Sequence, residues 1–140
     1  MAWPVKSNIG VIAGIAQTAT PDPLGESWSC SAFFPGATAT GPTCLGFVWK
    51  SGVMRALPTL GGNNGFATGA NDQGQVVGWA ENTVHDPTCV RPQVLQFRAV
   101  VWGPGTNQIR QLPPLPGDTS GAATAINDRG RIVGISGTCD

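Results

Sequence analysis

The sequence predicts an all-β chain of tandem four-stranded antiparallel blades, β-propeller-like, with about two and a half blades in 140 residues. Three observations carry this reading. Gly and Pro make up 32 of 140 residues, about twice their usual ~12% share, which leaves no room for a long amphipathic helix. Hydrophobic residues still reach 41%, with five Trp and five Phe, a composition that favours packed, turn-rich structure over disorder. Finally, three unrelated blocks recur along the chain in the same order, the mark of a repeat architecture.

The repeat is read directly. Asn71-Asp72-Gln73-Gly74-Gln75-Val76-Val77-Gly78 returns as Asn127-Asp128-Arg129-Gly130-Arg131-Ile132-Val133-Gly134 at an offset of 56. A looser copy, Ser7-Asn8-Ile9-Gly10-Val11-Ile12-Ala13-Gly14, stands 64 residues before the first. Gly46-Phe47-Val48-Trp49 answers to Ala99-Val100-Val101-Trp102 at offset 53, and Leu57-Pro58-Thr59-Leu60-Gly61-Gly62 to Leu112-Pro113-Pro114-Leu115-Pro116-Gly117 at offset 55. Small drifts locate loop insertions, and the jump from 53 to 64 locates a loop 11 residues longer between Gly14 and Trp49.

Each unit reads as four short strands. The first and second, residues 67–70 and 75–80, or 122–126 and 131–136, flank Asn-Asp-x-Gly. That segment is a hairpin turn, because Asn and Asp bond their own backbone and Gly accepts positive φ. Asn71, Asp72, Gly74, Asn127, Asp128 and Gly130 are therefore assigned a turn-forming role. The third strand covers residues 45–50 or 97–102, and the fourth, after Ser51-Gly52 or Gly103-Pro104-Gly105, residues 54–57 or 108–112. Four antiparallel strands per ~55 residues is the signature of a propeller blade; a β-solenoid, with shorter coils and fewer turns, is the runner-up. The units span residues 3–60, 66–115 and 122–140, the last holding only two strands. An array of this kind cannot close a ring of four to eight blades and leaves faces and strand edges open. The expectation is a fragment of a longer repeat protein, or a protomer that closes or extends by self-association through its open blade edges. Residues 131–136 would then accept strands from another chain, giving either a closed oligomer or a filament.

At these motifs the chain resembles the HAF-repeat family, extracellular repeats of bacterial proteins. The family unit reads roughly His-Ala-Phe-Leu-Trp, a Gly turn, Leu-Gly-x-Leu-Gly-Gly, then Ala-x-x-Ile-Asn-x-x-Gly-x-Val-Val-Gly. Leu45-Gly46-Phe47-Val48-Trp49 and Arg98-Ala99-Val100-Val101-Trp102 occupy the first block, the two Leu-Pro segments the second, and the Asn-Asp-x-Gly segments the third. The namesake His is absent from both copies, replaced by Leu45 and Arg98, and Pro58 and Pro113 stand where the family has Gly. The resemblance implies export and a β-repeat fold, and it implies no catalytic residues.

Composition narrows the function classes. Eight basic and eight acidic residues give zero net charge, so no nucleic-acid footprint or polybasic membrane patch is implied. No apolar run approaches the ~18 residues of a membrane span, so no membrane insertion is expected. The first residues lack the basic and apolar regions of a signal peptide. Cys30, Cys44, Cys89 and Cys139 are spaced by 14, 45 and 50 residues, which matches no zinc knuckle. Low charge, abundant Thr and Gly and the even Cys count favour disulfides and an extracellular or cell-surface location over free thiols in a reducing cytosol. Cys30 with Cys44 is the most natural pair, since both lie in one Gly/Pro-rich stretch. Cys89 and Cys139 are then left to each other, a reasonable bridge between neighbouring loops, or to a partner outside the chain.

Candidate sites are few. The Asn-Asp turns offer one carboxylate each and lack calcium-loop spacing. His85-Asp86 lies in a loop with no nucleophile placed by any motif, and Glu81 and Asp86 receive no role. No catalytic residue, metal site or cofactor is assigned. Trp49, Trp79 and Trp102 read as strand packing. Trp28, Phe33 and Phe34, in the long Cys-bounded insert, form a candidate ligand-binding loop able to stack on sugar rings. The inserts at residues 17–43 and 81–96 are the places for function, because loops longer than ~12–15 residues in compact domains are functional or disordered. Three readings result: a non-enzymatic extracellular module acting as a self-associating scaffold that contacts a surface polysaccharide or protein; a glycan-binding propeller module; and, least supported, a fragment of a propeller-type enzyme.

Overall fold

Hydrogen bonding follows the repeat. The computed structural model describes residues 2–6, 9–26, 28–34, 41–105 and 107–140. Strands β1 (Ala2–Lys6), β2 (Ile12–Pro21), β3 (Pro42–Lys50) and β4 (Val53–Ala56) form one antiparallel sheet in that order. Strands β5 (Gly65–Ala70), β6 (Val76–His85), β7 (Leu95–Trp102) and β8 (Ile109–Gln111) form the second in the same order. Strands β9 (Ser120–Ile126) and β10 (Ile132–Gly137) pair alone. Among the described residues the protein is all-β apart from a six-residue helix, α1 (Trp28–Phe33), and no closed ring forms.

The Asn-Asp-x-Gly hairpins are built as their residues demand. Asn71 Oδ1 accepts the N–H groups of Gln73 (3.1 Å) and Gln75 (2.9 Å), and Gly74 takes φ +79°. Asn127 Oδ1 repeats this with Arg129 (3.0 Å) and Arg131 (2.9 Å), and Gly130 takes φ +73°. The Gly that ends each motif has a steric reason. A Cβ on Gly78 would lie 1.8 Å from Phe66 O, and one on Gly134 2.2 Å from Ala122 O, separations no side chain tolerates.

The structure departs from the sequence reading in the inserts. Strands β2 and β6 run on to Pro21 and His85, ten residues each, past irregularities in register between Gln17 and Pro21 and between Glu81 and His85. Cross-strand polar pairs hold these extensions: Thr18 Oγ1 with Thr43 Oγ1 at 2.6 Å, and Asn82 Nδ2 donating to Gln96 Oε1 at 2.8 Å. The inserts thereby begin later than the sequence reading has them, at Asp22 and Asp86, where backbone bonds from Asp22 N–H to Gly41 O and from Asp86 N–H to Val94 O close their bases.

The units stack face to face, so the second sheet has a leading face toward the unit before it and a trailing face toward the unit after. On the leading face of the second sheet, Val76, Val100 and Trp102 pack with Ala13, Val48 and Leu57 of the first. On its trailing face, Val77 and Val101 pack with Ala123, Ile126 and Ile132 of the third. Successive residues of β6 thus feed two different cores, which is why its Val-Val pair is apolar at both positions. The Leu-Pro block serves both junctions in the same way. Leu57 and Leu112 each donate a backbone N–H across to the third strand, to Gly46 O and Ala99 O at 2.8 Å, and put their side chains into the core shared with the next unit. Trp102 Nε1 donates to Pro58 O at 2.8 Å, tying the second sheet to the first through the same block.

Candidate association face and stapled loops

Two features beyond the bare stack can do chemistry or binding: polar contacts along its rims, with a ladder of turns at one end of the strands and stapled loops at the other, and an apolar face at the end of the stack. The ladder climbs from turn to turn. Asp72 N–H donates to Asp128 Oδ1 (2.8 Å), Asn71 Nδ2 to Asn127 O (3.1 Å), and Thr68 Oγ1 to Ala123 O (2.6 Å). One unit earlier, Ile9 N–H reaches Asp72 Oδ1 at 3.3 Å. The motif's Asp therefore serves as the acceptor between units, and its Asn closes the turn.

The inserts are stapled to one another. Cys30 bonds to Cys44, fastening α1 to β3, and Cys89 bonds to Cys139, fastening the second insert to the segment after β10 across a separation of 50 residues. Glu26, from the first insert, accepts the N–H groups of Val94 (2.8 Å) and Leu95 (2.6 Å) in the second unit. Asn64 is the hub between these parts. Its Oδ1 accepts the Cys44 N–H (2.9 Å) while its Nδ2 donates to Asp22 Oδ2 (2.8 Å) and to Glu81. Glu81 Oε2 in turn accepts the N–H groups of Asn63 (3.0 Å) and Asn64 (2.8 Å).

These contacts leave carboxylates at depth. Glu26 and Glu81 are fully buried. Glu26 Oε1 has no hydrogen-bond partner among the described residues. Burial, with the Glu26 charge beside it, pushes the Glu81 carboxyl up to about 7, and the Asn64 and Asn63 N–H groups and the Gln93 amide offset this only in part. Asp86 behaves oppositely. Burial raises its carboxyl, but the Thr119 and Thr88 hydroxyls, the Thr88 N–H and the Gln96 amide outweigh that and hold it down at about 2.

Sequence reasoning left Glu26, Glu81, Asp22 and Asp86 without roles, although a signal was present for two of them. Asp22-Pro23 and Asp86-Pro87 recur at the 64-residue offset and build the same turn. Each Asp accepts at Oδ1 from the N–H two residues on, Leu24 (3.0 Å) or Thr88 (2.9 Å), and at its carbonyl from the N–H three residues on, Gly25 or Cys89. His85 beside it is exposed.

The loop aromatics turn inward. Phe34 is buried with Ile15 and the Cys30–Cys44 bridge, and Phe33 packs edge-on to Phe66 with centroids 4.7 Å apart. Phe34 is thus closed off from a sugar ring, Phe33 is half-buried, and the Trp28 side chain lies outside the described residues. Of the strand tryptophans, Trp102 and Trp79 are buried, Trp79 between Phe66 and Phe97, while Trp49 is half-buried. A groove of about 420 Å³ at the junction of the first two sheets is lined by Val11, Val53, Leu57, Trp102 and Pro104.

The end of the stack differs from its middle. The trailing-face positions Ala13 and Ile15 of the first unit are fully buried, and their equivalents in the second, Val77 and Trp79, are 0% and 6% exposed. The third unit carries Val133 and Ile135 at these positions, 63% and 69% exposed. The motif that builds the inner core is thus repeated in the third unit with nothing among the described residues covering it.

Comparison of the chain with protein-family models, curated proteins and solved structures gives no match. Two disulfides point to an oxidising compartment, and among the described residues no helix is long and apolar enough to cross a membrane.

Proposed function

We propose that this chain is a non-enzymatic extracellular β-repeat module that works as a self-associating scaffold. Its blades carry disulfide-stapled loops along one rim for contact with a surface polymer or another protein. One observation carries the reading: Val133 and Ile135 lie exposed at positions whose two earlier copies are buried, and the earlier copies of Val133, Ala13 and Val77, are buried between units. Adjacent exposed aliphatics on a strand face suit an interaction surface, and the internal packing of Ala13 and Val77 against the next unit supports another copy of the unit as what covers it. The disulfides fit export, as does the resemblance to the HAF-repeat motifs. The buried carboxylates are engaged in holding loops, which supports a structural role for them.

Light scattering on the oxidised chain across a wide concentration range tests this. The expected mass rises above the 14.4 kDa of one chain as concentration increases, and reductant weakens the association by releasing the third unit from the Cys89–Cys139 bridge. A 14.4 kDa species at every concentration would overturn the proposal.

A further inference from the structure

The unit-to-unit interface occurs twice within the chain, and one half of it is open at each end. At the trailing end the open half is Val133 and Ile135. At the leading end it is a row across three strands of the first sheet: Ile12, Trp49 and Met54, paired in register Ile12 with Trp49 and Trp49 with Met54. The same row in the second sheet is Val76, Trp102 and Ile109, where Val76 and Trp102 are buried and Ile109 packs against the same core. In the first sheet Ile12 and Trp49 are only half-buried and Met54 is 53% exposed. Polar groups follow the same polarity. The Asn71 and Asp72 turn donates forward to Asn127 and Asp128, and the turn holding those two residues is exposed.

We infer that copies of this chain bind head to tail, the Ile12–Trp49–Met54 row of one copy covering the trailing face of another at Val133, as the Val76–Trp102–Ile109 row packs with Ala13 inside the chain. This rests on self-association and specifies its faces. The occupant is a second copy, because the two open faces are the complementary halves of a junction that this chain already builds internally. The contact is heterologous, so it generates a ring if the rotation closes and a filament if it does not. It is a stacking of sheet faces, distinct from the addition of a strand to the edge of β10.

Blocking each end separately tests this. Val133→Lys with Ile135→Lys blocks the tail, and Met54→Lys blocks the head; all three side chains are exposed, so both variants should fold, and far-UV circular dichroism with thermal melting checks that they do. A lysine carried into a dry interface weakens association by about a hundredfold or more. Each variant alone should therefore sediment as a monomer where the parent chain associates. An equimolar mixture should recover a dimer, because one intact head then meets one intact tail. If the tail variant is monomeric while the head variant associates normally, the contact is tail to tail and the inference fails while self-association stands. If neither substitution matters, association runs through strand edges and the inference fails in the same way. A parent chain that is monomeric throughout overturns both.

Discussion

Strands β6 and β10 are near copies, Gln-Val-Val-Gly-Trp against Arg-Ile-Val-Gly-Ile, yet they occupy opposite environments. Between the first and third units, β6 buries Val76 on one face and Val77 on the other. The leading face of β10 packs through Ile132, and its trailing face stands open through Val133 and Ile135. The contrast teaches that in this repeat the motif encodes a two-sided packing element, and position in the stack decides whether both sides are used. Apolar pattern alone reports the capacity for a core, and the neighbour completes it.

The comparison can be broken most sharply by one substitution made twice. Val77→Asp places a carboxylate in a sealed core and should cost about 4 kcal/mol or more, enough to unfold a domain of this size. Val133→Asp, at the equivalent open position, should leave the monomer's melting temperature nearly unchanged while abolishing association. Thermal denaturation of the two variants below the association range measures this difference. Equal destabilisation would mean that the third unit is covered in the folded monomer.

The disulfides sharpen the comparison next. Removing Cys89–Cys139 with paired Ser substitutions frees a 50-residue loop and should cost about 4 kcal/mol, against about 3 kcal/mol for the 14-residue loop closed by Cys30–Cys44. The location of the loss matters as much as its size. Loss of the longer bridge should loosen β9 and β10 first, and limited proteolysis with mass spectrometry should find the new cleavage there. Cleavage appearing first in β6 would contradict the hierarchy.

The last effect is a pH dependence at the first junction. The Glu81 carboxyl sits at about 7 in the folded chain against an ordinary 4.5, so between those values the unfolded chain is ionised while the folded chain still holds the proton. Stability therefore falls as pH rises through that window, and the loss is complete above about 7. Asp86 acts at the other extreme, its contribution present above its ordinary value of 3.8 and lost as pH falls through about 2. Melting curves should decline from about pH 5 to pH 8 for the parent chain and be flatter for Glu81→Gln. An unchanged slope in the variant would remove Glu81 as the cause.

How far the sequence foretells this structure depends on whether a residue's role is local. The strands and hairpins were legible because Asn71, Gly74, Asn127 and Gly130 satisfy their turns from within four residues, and the exposed third unit followed from the strand count. The stapled rim was not legible in the same way. Glu26, in an insert, and Glu81, on β6, come together across 55 positions, and nothing in local pattern says that Glu26 will cap Val94 and Leu95. Phe33 and Phe34 illustrate the other limit. An aromatic in a Gly/Pro-rich loop reads equally as ligand platform or plug, and here Phe34 is a plug, buried beside the Cys30–Cys44 bridge, while Phe33 is half-buried against Phe66. The Asp-Pro turns lie between these cases, since their 64-residue spacing was present to be read.

Hydrogen–deuterium exchange across β6 and β10, followed at low and high protein concentration, tests the central claim most directly. The account predicts that β6 is protected at both concentrations, whereas β10 exchanges fast when dilute and gains protection as chains associate. Exchange in β10 that does not change with concentration, or that is as slow as in β6 from the start, would contradict it.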